Sequence, residues 1–112
     1  MEKVNNPLFS TKLTFVEKNE NCTVYDVKNS ETEEMIASVK FQDGAIKETG
    51  INGIFNEDLL LMIIDRLENF QKSKFACNEN EQALIKLEEA VMWLRKRTTE
   101  REVRGVAGTH VV

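Results

Sequence analysis

Histidine, proline and tryptophan each occur once in this 112-residue chain, and cysteine only twice. One imidazole and two widely separated thiols, Cys22 and Cys77, give no C-x-x-C pair and no second histidine from which zinc could draw its ligands. No metal is expected. The same spacing reads as reduced intracellular thiols rather than as a disulfide framework. No window approaches the ~20 apolar residues of a membrane span, and the N-terminal "MEKVNNPLFS" lacks the apolar core of a signal peptide. A soluble, cytoplasmic protein with no membrane partner is expected. Also missing are a nucleophile elbow, a P-loop, an HExxH helix and a carboxylate pair in a catalytic setting. Glu88 and Glu89 are adjacent, so on a helix they point in different directions. Without these parts no catalytic residues and no cofactors are expected, and a binder is favoured over an enzyme.

What is there suits one domain over residues 1–112 with one modest core, given 41% hydrophobic residues. A chain of this size with long amphipathic helices has limited margin for burying its own apolar surface, which brings self-association within reach. The net charge is -4 and the pI about 5.1. Long-range attraction to a nucleic-acid polymer is therefore not expected, and any anion site must be local.

The first half reads as sheet, over about residues 11–48. "KLTFVEK" alternates around Leu13 and Phe15, "CTVYDVK" is rich in β-branched and aromatic residues, and "EMIASVKF" sets Met35, Ala37, Val39 and Phe41 on one face at period two. Three antiparallel strands follow, joined through the polar hairpin links "NENC" and "NSETEE". "FQDGAIKETGING" supplies a density of turn residues that marks a change of structure, with a short fourth strand around Ile46 as one option.

The second half, about 56–104, reads as a helical hairpin. Asn56 is placed as an N-cap, Glu57 and Asp58 favour the positive end of the helix dipole, and Leu59, Leu60, Ile63, Ile64, Leu67 and Phe70 recur at helical spacing to about Lys72. Leu61 and Met62 widen that apolar face, which implies more than one packing neighbour. A second helix starts near Asn80, carries Ala83, Leu84, Leu87, Ala90, Val91 and Leu94 inward, and ends near Val103 ahead of Gly105 and Gly108. The fold class is thus α+β: a small N-terminal antiparallel sheet, a C-terminal hairpin able to oligomerise, and a glycine-containing tail over 105–112.

Chemistry concentrates at the end of the second helix. Residues four apart sit above one another, so Trp93, Arg97 and Arg101 form one column with Arg104 at its edge. Residues 95–104 carry a local charge of +3, against about -7 for the rest. Guanidiniums recognise phosphates through paired donors and an indole can stack a base, so a small phosphorylated, base-containing ligand fits. A plainer reading stands beside it. Basic residues complement the negative end of a helix dipole and can pair with Glu100 and Glu102, and an indole in mid-helix is commonly core. In the tail, Gly105, Val106, Gly108, Thr109 and His110 could expose backbone N–H donors to an anion as a nest.

"GINGIFNEDLLLMIIDRLENFQ" followed by "FACNENEQALIKLEEAVMWLRKRTTEREVRGVAGTHVV" resembles the phage anti-Thoeris sponge family, whose helical hairpin is shared with a phage anti-CBASS sponge. The resemblance covers roughly residues 38–112, and "LEEAVMWL", "RT..R..RGV.GTH" and "FQDG" are its specific parts. It implies a β-rich portion followed by two long helices, assembled as a homo-oligomer: dimers, and a hexamer built as a trimer of dimers. It also implies a protein in the cytoplasm of the infected bacterium that sequesters a small-molecule cyclic nucleotide signal without degrading it. That signal is glycocyclic ADP-ribose made by Thoeris TIR proteins, and in some members CBASS cyclic trinucleotides or dinucleotides at separate sites. On this resemblance Arg97, Arg101 and Arg104 would neutralise the ligand pyrophosphate, and Phe75 or Trp93 would offer the plane for adenine. Asn80 would read a base edge or ribose hydroxyl. Gly105, Val106, Gly108, Thr109 and His110 would form a second site or line the first from a neighbouring subunit. A protein that competes with a high-affinity effector needs nanomolar binding, about -12 kcal/mol, which exposed ion pairs alone do not supply. A pocket closed by two subunits would. The competing readings are a nucleic-acid-binding phage regulator using the basic helix end, and a structural module whose hairpin only oligomerises.

Overall fold

Among the described residues four strands precede three helices: β1 (Glu2–Lys3), β2 (Thr14–Lys18), β3 (Val24–Asn29), β4 (Met35–Lys40), α1 (Ile46–Thr49), α2 (Asn56–Gln71) and α3 (Asn78–Val103). The computed structural model describes residues 1–6 and 11–112. The chain divides into two compact units, one of residues 1–43 with 51–54 and the other of 44–50 with 55–112.

The first unit is an antiparallel sheet in the order β1-β2-β3-β4. The three strands expected from alternation are present, and their links are asparagine-anchored turns. The Asn19 side chain accepts the Thr23 and Val24 N–H groups at 2.9 and 3.1 Å, and that of Asn29 accepts Glu31 and Thr32 at 2.8 and 3.1 Å. An amide oxygen that copies a backbone carbonyl is what lets Asn close such turns. Cross-strand register sets Val16, Val27 and Ala37 in one row, and Glu17, Asp26 and Ser38 in another. Asp26 is buried and takes the Ser38 hydroxyl at 2.7 Å. Lys28 Nζ lies 2.6 Å from Glu17. That bond holds the Glu17 carboxyl below the usual carboxylate range and raises Lys28 above the ordinary lysine value.

Three expectations are corrected here. A further strand exists at the N-terminus, where Glu2 faces Lys18 and Lys3 faces Glu17. The segment around Ile46 is a four-residue helix, not a strand. The added pairing belongs to the first unit, as an isolated parallel bridge between Phe41 and Ile54, where Gly53 passes so close that a Cβ would overlap the Phe41 carbonyl. Met35 does not share a face with Ala37 and Val39. A register shift pairs Met35 with Lys28 while Ala37 pairs with Val27, and one extra residue on a strand reverses the side-chain alternation.

The second unit holds the helical hairpin. Asn56 is not the cap of α2: Phe55 is. Its N–H donates to Asp58 Oδ2 at 2.9 Å and its carbonyl accepts the Asp58 N–H at 3.0 Å, so an acidic side chain three residues in fills the role a polar cap would take. α3 begins two residues earlier than expected, with Cys77 as its cap. Its inward set is as expected, with Leu84 buried and Ala83, Leu87, Ala90, Val91 and Leu94 half-buried. On α2 only Ile64 is buried, while Ile63 joins Leu61 and Met62 on the exposed side.

Candidate functional site

The expected site residues fall at the two ends of α3. The six-residue link between α2 and α3 carries Phe75, whose side is 61% exposed although its backbone is tied down. Its N–H donates to Ser73 Oγ at 3.1 Å and its carbonyl accepts Asn80 Nδ2 at 3.3 Å. Ser73 Oγ in turn donates to the Phe70 carbonyl at 2.7 Å. The Phe75 ring leans on Phe70 with centroids 6.0 Å apart, Arg66 covers Phe70 at 4.8 Å and Lys74 sits 5.4 Å from Phe75. Asn80, half-buried in the first turn of α3, thereby has one of its two amide N–H donors engaged by the chain, which leaves its carbonyl oxygen and its second N–H as the groups it can offer outward. This end is an aromatic plane bordered by cations and one side-chain amide.

The other end is cationic. Trp93 is exposed, against the plainer expectation that a mid-helix indole is core, and its ring carries Lys96 Nζ at 5.1 Å. Arg97 lies one turn on, exposed. Arg101 is directed elsewhere: its guanidinium donates to the carbonyls of Val111 at 2.6 Å, Thr109 at 3.1 Å and Val106 at 3.2 Å. Arg104 donates to the Val112 carbonyl at 2.8 Å. Among the described residues neither is ion-paired with Glu100 or Glu102. The cations of the last turns thus hold the tail rather than the helix surface.

The tail folds back accordingly. Gly105 and Gly108 have φ of 74° and 76°, left-handed conformations that glycine adopts without a Cβ penalty. The Gly105, Val106 and Thr109 N–H groups donate to the carbonyls of Glu102, Arg101 and Val106 at 3.0, 3.0 and 3.1 Å. Those three donors are engaged within the chain, and the segment presents the Val106, Thr109 and Val111 carbonyls to Arg101. It docks on α1, where the Lys47 N–H donates to the Gly108 carbonyl at 2.9 Å and His110 Nδ1 lies 3.0 Å from Glu48 Oε1, both side chains exposed.

Arg101, Arg104, Val106, Gly108, Thr109 and His110 are therefore brought together, as are Phe75 and Asn80. The two groups are not. From Asn80 to Arg97 is seventeen residues of continuous α3, about 25 Å at 1.5 Å per residue, so no small ligand spans both ends of one chain. Sequence reasoning missed Glu48, which meets a histidine 62 residues away with no local signal. It also missed Gln71, whose amide binds both polar groups of the Cys77 backbone.

A family model described as "Acb2/Tad1, hairpin domain" matches residues 35–99, from the start of β4 to within two residues of Arg101. The chain is also 60% identical over 75 residues to "Thoeris anti-defense 1" of Bacillus phage SBSphiJ7, an alignment covering 67% of this chain and 53% of that protein. It spans about half the length of that curated relative. With the last strand, α2, all but the last turn of α3 and the connection that presents Phe75 and Asn80 inside the matched region, the chain belongs to the Acb2/Tad1 hairpin-domain family.

Proposed function

We propose that this chain is a phage-encoded immune-evasion protein, acting in the cytoplasm of the infected host, that binds and sequesters a cyclic nucleotide defence signal without degrading it. The observation that carries the proposal is the 60% identity to a phage protein named for Thoeris anti-defence. The proposed signal is a cyclic ADP-ribose isomer such as glycocyclic ADP-ribose, with CBASS cyclic trinucleotides or dinucleotides as further ligands at separate sites. The geometry supports an adenine stacked on Phe75, with the Asn80 amide reading its edge: Oδ1 accepts from the exocyclic amine, and the second N–H, which the Phe75 carbonyl does not take, donates to a ring nitrogen. Arg97, whose guanidinium is exposed, is the cation of the column best placed to meet a pyrophosphate.

The ends of α3 are too far apart to act on one ligand within a chain, so a complete pocket draws them from different copies. A homo-oligomer, dimeric and then hexameric, is part of the proposal for that reason. It is supported by the exposure of Leu61, Met62, Ile85 and Met92 on the hairpin, apolar area that soluble monomers seldom leave open. The test is calorimetric titration with cyclic ADP-ribose isomers and cyclic di- and trinucleotides, followed by heat denaturation and mass spectrometry of what is released. Nanomolar binding with intact ligand recovered is the expected result. A cleaved product would make the protein an enzyme, and preference for long DNA or RNA would favour the regulator reading.

A further inference from the structure

We propose that Gln71 is a positioning residue that holds Phe75 in its ligand-receiving pose; the inference rests on the stacking role proposed for Phe75. Gln71 is the last residue of α2 and Cys77 the cap of α3. The Gln71 Oε1 accepts the Cys77 N–H at 3.0 Å, and its Nε2 donates to the Cys77 carbonyl at 2.9 Å. One amide thus makes the two-bond pair that adjacent strands make, and it closes the connection at its base. The Cys77 side chain makes no cap hydrogen bond, and Gln71 takes the Cys77 backbone N–H, the donor that an N3 side chain accepts in a capping box.

Inside the closed connection, both backbone groups of Phe75 are held by side chains, the N–H by Ser73 and the carbonyl by Asn80. The ring itself is mostly exposed. An exposed aromatic on an unrestrained loop folds down onto neighbouring apolar surface or samples many orientations, and only a fraction of the ensemble receives a ligand. The apparent dissociation constant then rises by the inverse of that fraction. Gln71 raises the fraction without touching the ligand.

This predicts a kinetic signature. Gln71→Leu, which removes both bonds and keeps the side chain's bulk, weakens binding of glycocyclic ADP-ribose about tenfold, the order expected for two neutral hydrogen bonds. The loss falls on the association rate, with dissociation unchanged, since the bound contacts are the same. Gln71→Glu, which keeps the acceptor for the Cys77 N–H and loses the donor, falls between. In a Phe75→Ala background, Gln71→Leu has no further effect, because it acts through that ring. Amide exchange at Phe75 and Cys77 in the ligand-free protein is measured alongside and accelerates in Gln71→Leu. A faster dissociation rate, or an equal loss in the Phe75→Ala background, overturns the positioning role. Unchanged exchange overturns the clamp itself, whatever binds. Absence of binding by the unaltered protein to this probe and to the other cyclic ADP-ribose isomers overturns the stacking reading of Phe75, and the positioning role with it, while the exchange result still decides the clamp.

Discussion

Replacing Arg101 by alanine is the sharpest perturbation of the tail. Its guanidinium donates to three carbonyls, two of them in half-buried bonds to Val106 and Thr109 and one in an exposed bond to Val111. Hydrogen bonds from a charged donor contribute roughly 1.5–3 kcal/mol when shielded. Taking the low end for the two half-buried bonds and nothing for the exposed one gives about 3 kcal/mol of local docking, or roughly two decades in an opening equilibrium. The helical hairpin is untouched, because its core around Ile64 and Leu84 makes none of these contacts. Hydrogen exchange followed by NMR reads the effect locally. The Lys47 and Thr109 amides, which donate to the Gly108 and Val106 carbonyls, should exchange up to about 100-fold faster, while amides around Leu84 keep their protection. Arg101→Lys should recover less than half of the lost protection, since one ammonium cannot span the carbonyls a planar fork reaches. Protection at Lys47 and Thr109 within threefold of the unaltered protein would refute the reasoning and make the tail self-supporting.

Glycine substitutions should separate backbone overlap from backbone conformation. Gly53→Ala drives a Cβ into the Phe41 carbonyl and should break the Gln42–Ile54 pairing and lower the thermal midpoint by several degrees. Gly105→Ala, with open space around it, should cost only the ~1–2 kcal/mol of a left-handed alanine; the reverse ranking in thermal unfolding would contradict the geometry. The Glu17–Lys28 pair predicts a pH dependence with a definite sign. Glu17 has a depressed pKa, so its contribution is present above the usual glutamate value of about 4.3 and is lost as pH falls through the lower folded value. Lys28, held up, contributes below the ordinary lysine value and loses that contribution as pH rises through its own. Glu17→Gln should therefore lower the urea midpoint at neutral pH and converge with the unaltered protein in acid; a constant difference across that range would rule the pair out. Leu61→Glu and Met92→Glu alter side chains that are 63% and 68% exposed, so each should leave helical circular dichroism intact. Sedimentation velocity should show each dissociating the proposed oligomer, and retained assembly in both would exclude this face as the contact.

The helices were legible because burial on one side writes a period into the sequence, and Leu84, Leu87, Val91 and Leu94 keep it. Their starts were less so, because the groups that close them are not polar caps at the boundary. At α2 the closing group is Asp58 acting on the Phe55 backbone, and at α3 it is Gln71 reaching across the loop. The displacement of Met35 comes from one extra residue opposite the junction of Val27 and Lys28, which leaves the composition of β4 unchanged and so leaves no trace in its alternation. β1 carried a signal that could have been used: the "EK" at 2–3 and the "EK" at 17–18 are charge-complementary when run antiparallel. The cationic column was legible as a set of residue types, and its partners were not. Arg101 is held by carbonyls, which every residue has, so nothing in the identities of Val106, Thr109 and Val111 announces them.

The length of α3 carries a consequence for how such a protein can change over time. A continuous helix of 26 residues keeps the aromatic connection and the cationic tail well beyond the range at which substitutions couple, about 7–10 Å. Within one chain, the effects on stability of alterations at one end therefore add to those at the other. Phe75 and its surroundings can therefore be remodelled without disturbing the fold of the arginine-held tail in the same chain, and the reverse is equally open. The helix is in that sense an insulator within one chain, and the two surfaces couple only where copies of the chain meet.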